Sequence, residues 1–275
     1  MLNSWLRMYV HLKEVVIMKK FMCVLLSAAS FTGLNAEPVT MASSVKIEQT
    51  ESRDSLKDSV SKQFKEFVKG SKEMMVQYDG FVSLLQKAAK ENNGISDKDI
   101  DKILNAVTYS AQCHQMQTRK NAKKTPYVSH PMTVAETVLT VGKVRDADVI
   151  IAALLHDTID DTQATYEDIR SRFGSKVENI VRELTEDKTL SSAKRKKLQI
   201  IQAPNKSTGA AIICLSDQIF NLNNLLQDPP IDWTRERIDQ YFQWVQSVVN
   251  HLPEANAPLK DEVNKIIKDY WKKQA

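Results

Sequence analysis

The run Val149-Ile150-Ile151-Ala152-Ala153-Leu154-Leu155 constrains the fold more than any other feature of this chain. Read within a helix from Asp146 to Asp157, it is apolar nearly all the way round, and a helix without a polar face must be enclosed by other elements. It ends in His156-Asp157, so two polar side chains arrive at the end of a core element. The surrounding segments show helical periodicity as well. Ser96 can cap a helix with Asp99 at its third position. Ile100, Ile103, Leu104, Val107, Ala111 and His114 then fall at i, i+3, i+4, i+7, i+11 and i+14, which places His114 on the buried face. Val60, Phe64 and Phe67, continued by Met74, Met75, Phe81, Leu84 and Leu85, predict helix from Ser55 to about Lys90. Thr165 with Asp168, and Ser175 with Glu178, repeat the capping pattern on either side of a helix stop at Gly174. Further helices are expected over Ala210 to Leu226, Arg235 to Asn250 and Lys260 to Lys273. No run alternates with period two, and 7 glycines with 8 prolines are few for a many-turned sandwich or barrel. The expected class is all-α.

The N-terminal part reads differently. Lys19-Lys20 is a basic region, Phe21 to Ala29 is mostly apolar, and Leu34-Asn35-Ala36 ends in a small residue suited to cleavage, the pattern of an export signal. The apolar stretch is too short to span a bilayer. The expectation is therefore a periplasmic or secreted chain, cleaved near Ala36, with no stable membrane span afterwards. Residues 1–36 form an extension with this signal, 37–75 a polar linker and N-terminal helical extension, and 76–272 the main domain. Cleavage would leave Cys113 and Cys214, as a disulfide or as two buried thiols. The chain carries +4 overall, of which residues 1–36 hold +3. The rest is too near neutral for nucleic-acid binding.

Chemistry concentrates at the end of the apolar helix. In His156-Asp157-Thr158-Ile159-Asp160-Asp161, the carboxylates at 157, 160 and 161 are spaced i, i+3 and i+4 and share a face. They repel unless protons or a cation neutralise them, and a divalent metal turns the repulsion into coordination. Ordinary solvated turn residues at 160 and 161 are the alternative. His130 stands before a helix start marked by Pro131, after a basic loop from Gln117 to Lys124. Asp217 lies inside the apolar segment Ile212 to Ile219, where a charge is rare unless paired or metal-bound. Two imidazoles with two carboxylates suit Mn²⁺, Fe²⁺ or Zn²⁺ better than Ca²⁺ or Mg²⁺.

The motifs His130-Pro131, Leu154-Leu155-His156-Asp157-Thr158-Ile159-Asp160-Asp161-Thr162, Phe173-Gly174 and Leu215-Ser216-Asp217 with Asn221-Leu222 resemble the HD-domain hydrolases of the RelA/SpoT group. The chain is more closely similar to the small alarmone hydrolases typified by the metazoan SpoT homologue, through Thr125-Pro126-Tyr127, Thr185 to Leu190, Gln202-Ala203-Pro204 and Tyr241-Phe242-Gln243-Trp244. The likeness runs from about Tyr78 to Tyr270. It implies an HD-domain helical bundle holding a metal, usually Mn²⁺, through His130, His156, Asp157 and Asp217. It implies that Asp160 and Asp161 stand where the family positions and deprotonates the attacking water, and that Arg119, Lys120, Asn221, Arg237 and Tyr241 contact a phosphorylated nucleotide. The implied reaction is removal of the 3′-pyrophosphate from guanosine penta- or tetraphosphate. Dephosphorylation of NADPH or another nucleotide outside the cytosol, or an inactive nucleotide- or partner-binding module, are the rival expectations. Two departures stand out: Asp160 replaces a glutamate, shortening that side chain by one methylene, and the positions flanking Asp217 read Cys214 and Gln218 where the family usually has lysine or arginine.

Overall fold

The structure is a computed structural model that describes residues 57–91, 94–119, 123–230 and 232–274. By contacts the chain divides into 1–50 and 51–275, and the described residues belong to the second unit. The expected export signal and cleavage position, and most of the expected polar linker, lie outside the described residues.

Twelve helices follow one another among the described residues: α1 (57–67), α2 (Lys72–Ala89), α3 (Asp97–Cys113), α4 (Ser129–Thr140), α5 (Ala147–Leu155), α6 (Thr158–Asp161), α7 (Tyr166–Phe173), α8 (Ser175–Leu184), α9 (Ser192–Gln202), α10 (Thr208–Gln227), α11 (Arg235–His251) and α12 (Ala257–Lys272). The class is all-α, with one isolated bridge between Thr118 and Pro126 among the described residues. No described helix is long and apolar enough to cross a membrane.

α5 sits at the centre, packed against α3, α4, α8 and α10. All seven residues from Val149 to Leu155 are buried, which is why this helix needs no polar face. Its start is set by Asp146, whose carboxylate accepts the Asp148 amide at 3.0 Å. The predicted helix ends sooner than Asp157: His156 is the last capping position, and a break at Asp157 separates α5 from the single turn α6. Local caps explain most other boundaries. Ser96 accepts the Asp99 amide, and Thr165 with Asp168 forms a reciprocal capping box.

Four differences from the sequence expectation have physical causes. The helix expected from Ser55 to Lys90 is broken at 68–71, where Lys69 and Gly70 both adopt positive φ. α2 crosses the expected domain boundary between 75 and 76, and Phe64 and Met74 join the same core as Phe81. Ser175 opens α8 without a side-chain cap, and Glu178 is instead buried between Arg170 and Arg182. Gly174, at φ 97°, both ends α7 and caps α8, a conformation that an L side chain rarely adopts. α9 was not visible in the apolar pattern because none of its residues is buried.

Candidate active site

Three elements bring four side chains to one point. His130 is the second residue of α4, His156 and Asp157 lie at the α5–α6 break, and Asp217 is in the middle of α10. His130 Nε2 lies 3.3 Å from Asp157 Oδ2 and 3.3 Å from Asp217 Oδ1. His156 Nε2 lies 3.3 Å from Asp157 Oδ1 and 3.9 Å from Asp217 Oδ1. The two imidazole rings stand edge to face, 5.1 Å between centroids. Both histidines are buried, whereas the two carboxylates keep a partly exposed edge.

The imidazole of His156 is oriented from behind. Its Nδ1 donates to the Ala153 carbonyl at 2.8 Å, which leaves the Nε2 lone pair directed at the cluster. Burial alone would disfavour a charged His130, but hydrogen bonds and charges from Asp157 and Asp217 outweigh it and push its pKa up to about 9. Burial likewise opposes ionisation of Asp157, yet the neighbouring His156 and His130 imidazoles and the Tyr127 hydroxyl hold it well below the usual carboxylate range. The pocket formed by these groups favours positive charge at its centre. Potential ligand atoms of His130, His156 and Asp157 lie within 4.8 Å of one another, and Asp217 Oδ1 completes a mixed nitrogen and oxygen set. These donors fit a divalent cation.

Tyr127 was not anticipated as part of the site. Its hydroxyl donates to Asp157 Oδ2 at 2.7 Å and lies 3.4 Å from Asp161 Oδ2. The ring also packs on His114, 4.8 Å between centroids. His114 Nδ1 donates to Gln117 Oε1 at 2.8 Å, and Gln117 donates onward to the Asp161 carbonyl. The histidine on the α3 stripe therefore braces the site from behind. A tyrosine in a loop carries no local signal of such a role; only the motif Thr125-Pro126-Tyr127 drew notice in the sequence.

The cluster opens into a cavity of about 430 Å³. Asp160 lines it, and both of its carboxylate oxygens accept the Glu186 amide at 3.2 Å. Burial is the largest influence on Asp160 and pushes its pKa up to about 6. Asp161 is more exposed and pairs with Lys188 at 3.4 Å. Among the expected nucleotide contacts, Asn221 and Tyr241 line the cavity. Asn221 donates to Asp217 Oδ1 at 2.8 Å, and Tyr241 packs beside Trp244 with 5.2 Å between centroids. Arg119 lies beside the cluster, its guanidinium 5.0 Å from the Phe220 ring centroid and 5.5 Å from that of Tyr127. Arg237 is placed apart, over Trp233 at 4.5 Å, and is not among the residues lining the cavity. Lys120 lies outside the described residues.

The far wall comes from the α8–α9 connection and from α9, which contribute Lys188, Arg195 and Gln199. Arg195 is anchored to Glu186 Oε2 at 2.7 Å, and Gln199 also reaches Glu186. The available sequence signal was Ser191, which caps α9, followed by the basic run Lys194 to Lys197. Cys113 and Cys214 are free thiols, each half-buried. Cys214 faces the cavity, and burial pushes its thiol up to about 11.

This chain is similar to proteins of known description. The HD domain description matches residues 106–211. The guanosine-3′,5′-bis(diphosphate) 3′-pyrophosphohydrolase MESH1 of Xenopus tropicalis is 41% identical over 167 residues, which span 61% of this chain and 93% of that protein. The protein of the same name from Homo sapiens is 38% identical over 166 residues, with 60% and 93% coverage. A solved structure described as a metazoan ortholog of SpoT that hydrolyzes ppGpp superposes with a TM-score of 0.60 at 40% identity, covering 62% of this chain and 95% of that one. With its catalytic-scale cavity beside a histidine–aspartate cluster, and with this similarity across almost the whole length of those relatives, the chain belongs to the HD-domain family of small alarmone hydrolases.

Proposed function

We propose that this chain is a Mn²⁺-dependent hydrolase that removes the 3′-pyrophosphate from guanosine 3′,5′-bis(diphosphate). The observation that carries this reading is the convergence of His130, His156, Asp157 and Asp217 at one end of a cavity whose other walls supply cations and aromatic rings. The relatives named for that reaction support the choice of substrate.

In this proposal the four cluster residues are the metal ligands. A bound divalent ion supplies Lewis-acid charge to a phosphoryl oxygen and acidifies a water molecule. The rest is done by side chains of this protein. Ala153 and Tyr127 hold His156 and Asp157 in a fixed orientation. Asp160 is the general base: its carboxylate faces the cavity, and a pKa near neutrality suits proton abstraction at physiological pH. Asp161 balances the charge of Lys188 at the same rim. Lys188 on the cavity wall and Arg119 beside the cluster attract the phosphates, and the mutually tilted rings of Tyr241 and Trp244 offer aromatic faces to the base. Arg237, outside the cavity lining, is assigned to the outer part of the nucleotide, and Lys120 keeps its expected role as a nucleotide contact.

The test is release of pyrophosphate from guanosine 3′,5′-bis(diphosphate) by purified protein loaded with Mn²⁺, beside a panel that includes NADPH. Absence of pyrophosphate release by folded, metal-loaded protein refutes the reading. We further propose, on the strength of Lys19-Lys20 and the apolar run after it, that the chain acts outside the cytosol. Mass determination of the N-terminus of protein recovered from its native cell tests cleavage near Ala36.

A further inference from the structure

The cavity extends beyond the metal cluster along α10. Asp217 and Cys214, one turn apart on this helix, both line it, and the chain enters the helix through Lys206, which lines it as well. From Asp217 back to the first residue of α10 the helix rises roughly 14 Å, at about 1.5 Å per residue. The Cys214 thiol lies between the two ends electrostatically: Lys206 lowers its pKa and Asp217 raises it.

Lys206 differs from the other cations of the cavity wall. Lys188 pairs with Asp161, and Arg195 is held by Glu186. The ammonium of Lys206 donates to the Glu183 backbone carbonyl at 2.6 Å and forms no ion pair among the described residues. The Glu183 carboxylate is itself used, accepting the Ser207 amide at 2.6 Å. An ammonium has three donors. One anchors this group to the cavity wall, and its charge and further donors are left for a ligand. A half-buried cation fixed in place, without an ion pair among the described residues, and lining a cavity is suited to a phosphate oxygen.

We propose that Lys206 binds the phosphate group remote from the His130–Asp217 cluster and so selects nucleotides phosphorylated at two positions. The inference rests on the function proposed above and adds to it the residue that recognises the second, unreacted phosphate chain. A ribose carrying phosphates on two of its hydroxyls would present one to the cluster and the other to Lys206. A substrate phosphorylated only at the reacting position leaves Lys206 without a partner.

The experiment compares the full chain with its Lys206→Ala, Lys206→Gln and Lys206→Arg variants on guanosine 3′,5′-bis(diphosphate) and on guanosine 3′-diphosphate. Loss of one charge-assisted contact to phosphate is expected to raise KM by about 10- to 100-fold on the first substrate. kcat is expected to stay unchanged, the pattern of a lost binding contact. KM for guanosine 3′-diphosphate should not move, and Lys206→Arg should restore most of the loss. Lys206→Gln keeps a donor for Glu183, so it separates charge from packing should the alanine variant fold poorly. Equal penalties on both substrates, or none on either, overturn the proposal. If the unaltered chain hydrolyses neither nucleotide, the function proposed above fails instead. Dissociation constants for the same two nucleotides, read from tryptophan fluorescence, then decide the role of Lys206: weakening confined to the doubly phosphorylated nucleotide supports it, and equal affinities refute it.

Discussion

Tyr127 shows how much of this site depends on single polar contacts. Its hydroxyl donates to one oxygen of Asp157 and adds a third restraint beside His130 and His156. Partners that orient a metal ligand typically affect metal affinity by about 10- to 100-fold. Tyr127→Phe is therefore expected to weaken Mn²⁺ binding within that range while leaving the thermal unfolding of the metal-free protein nearly unchanged; calorimetric metal titration measures it. Asp160 leads to a second expectation. Its pKa rises from 3.8 to about 6 in the folded protein, chiefly through burial. The folded state thus holds this proton more tightly than the unfolded chain, so ionised Asp160 costs stability above pH 6. That cost is relieved as pH falls toward 3.8. In metal-free protein, Asp160→Asn should raise Tm at pH 8 and lose that advantage by pH 4. A Tm gain that is the same at both values contradicts the burial argument.

Among the helices, α5 and α9 mark the two extremes of legibility. α5 was readable because its burial is total and its composition has to match: no polar residue occurs between Val149 and Leu155. Leu154 is fully buried in its last turn, and Leu154→Ala is expected to cost about 2–5 kcal/mol, measurable by denaturant unfolding. α9 left no apolar stripe because it lies over the molecule rather than inside it. Lys196 stands over the Tyr241 and Trp244 rings, and its backbone carbonyl accepts the Trp244 indole N–H at 3.2 Å. Such contacts use stems and backbone of polar residues, so hydrophobic periodicity does not reveal them. The same blindness hid Arg195, Gln199 and the cavity wall they form. The Ser175–Glu178 pair illustrates the opposite error, a capping spacing that tertiary contacts with Arg170 and Arg182 put to another use.

At the scale of the whole molecule, the site is a charge arrangement that the fold must hold together. In metal-free protein, against the effect of burial, the Asp157 and Asp217 carboxylates push the pKa of His130 up from 6.5 to about 9. A folded pKa above the unfolded one means that the stability from protonated His130 is complete below 6.5 and is lost as pH rises through about 9. Asp157 acts in the other direction: its depressed pKa contributes stability above 3.8 that disappears as pH falls below that value. The metal-free protein should therefore show a Tm that declines between pH 7 and pH 9. Saturating Mn²⁺ is expected to remove most of this decline, since the ion takes over the role of the His130 proton. At about 100 times its dissociation constant the ion adds roughly 2.7 kcal/mol, and a chelator should reverse the gain. A melting curve insensitive to both pH and chelator would show that the four side chains do not hold a cation.

The all-helical class, the central place of α5 and the start of α3 were determined by the sequence alone. Each rests on a repeat of 3.6 residues or on a cap that reaches three residues along the chain, and both are local. The chemistry-bearing residues were visible as types: His130, His156, Asp157 and Asp217 each stood where a polar group needs a partner. Their convergence was a matter for the tertiary structure. Whether His130 meets Asp217 at 3.3 Å depends on how α4 and α10 pack on α5, not on either segment's own pattern. The same packing put Tyr127 on Asp157, set Arg237 over Trp233 instead of along the cavity, and placed Lys206 in the cavity lining with Asp217. Distances through space follow from packing angles between helices, and no spacing along the chain encodes them.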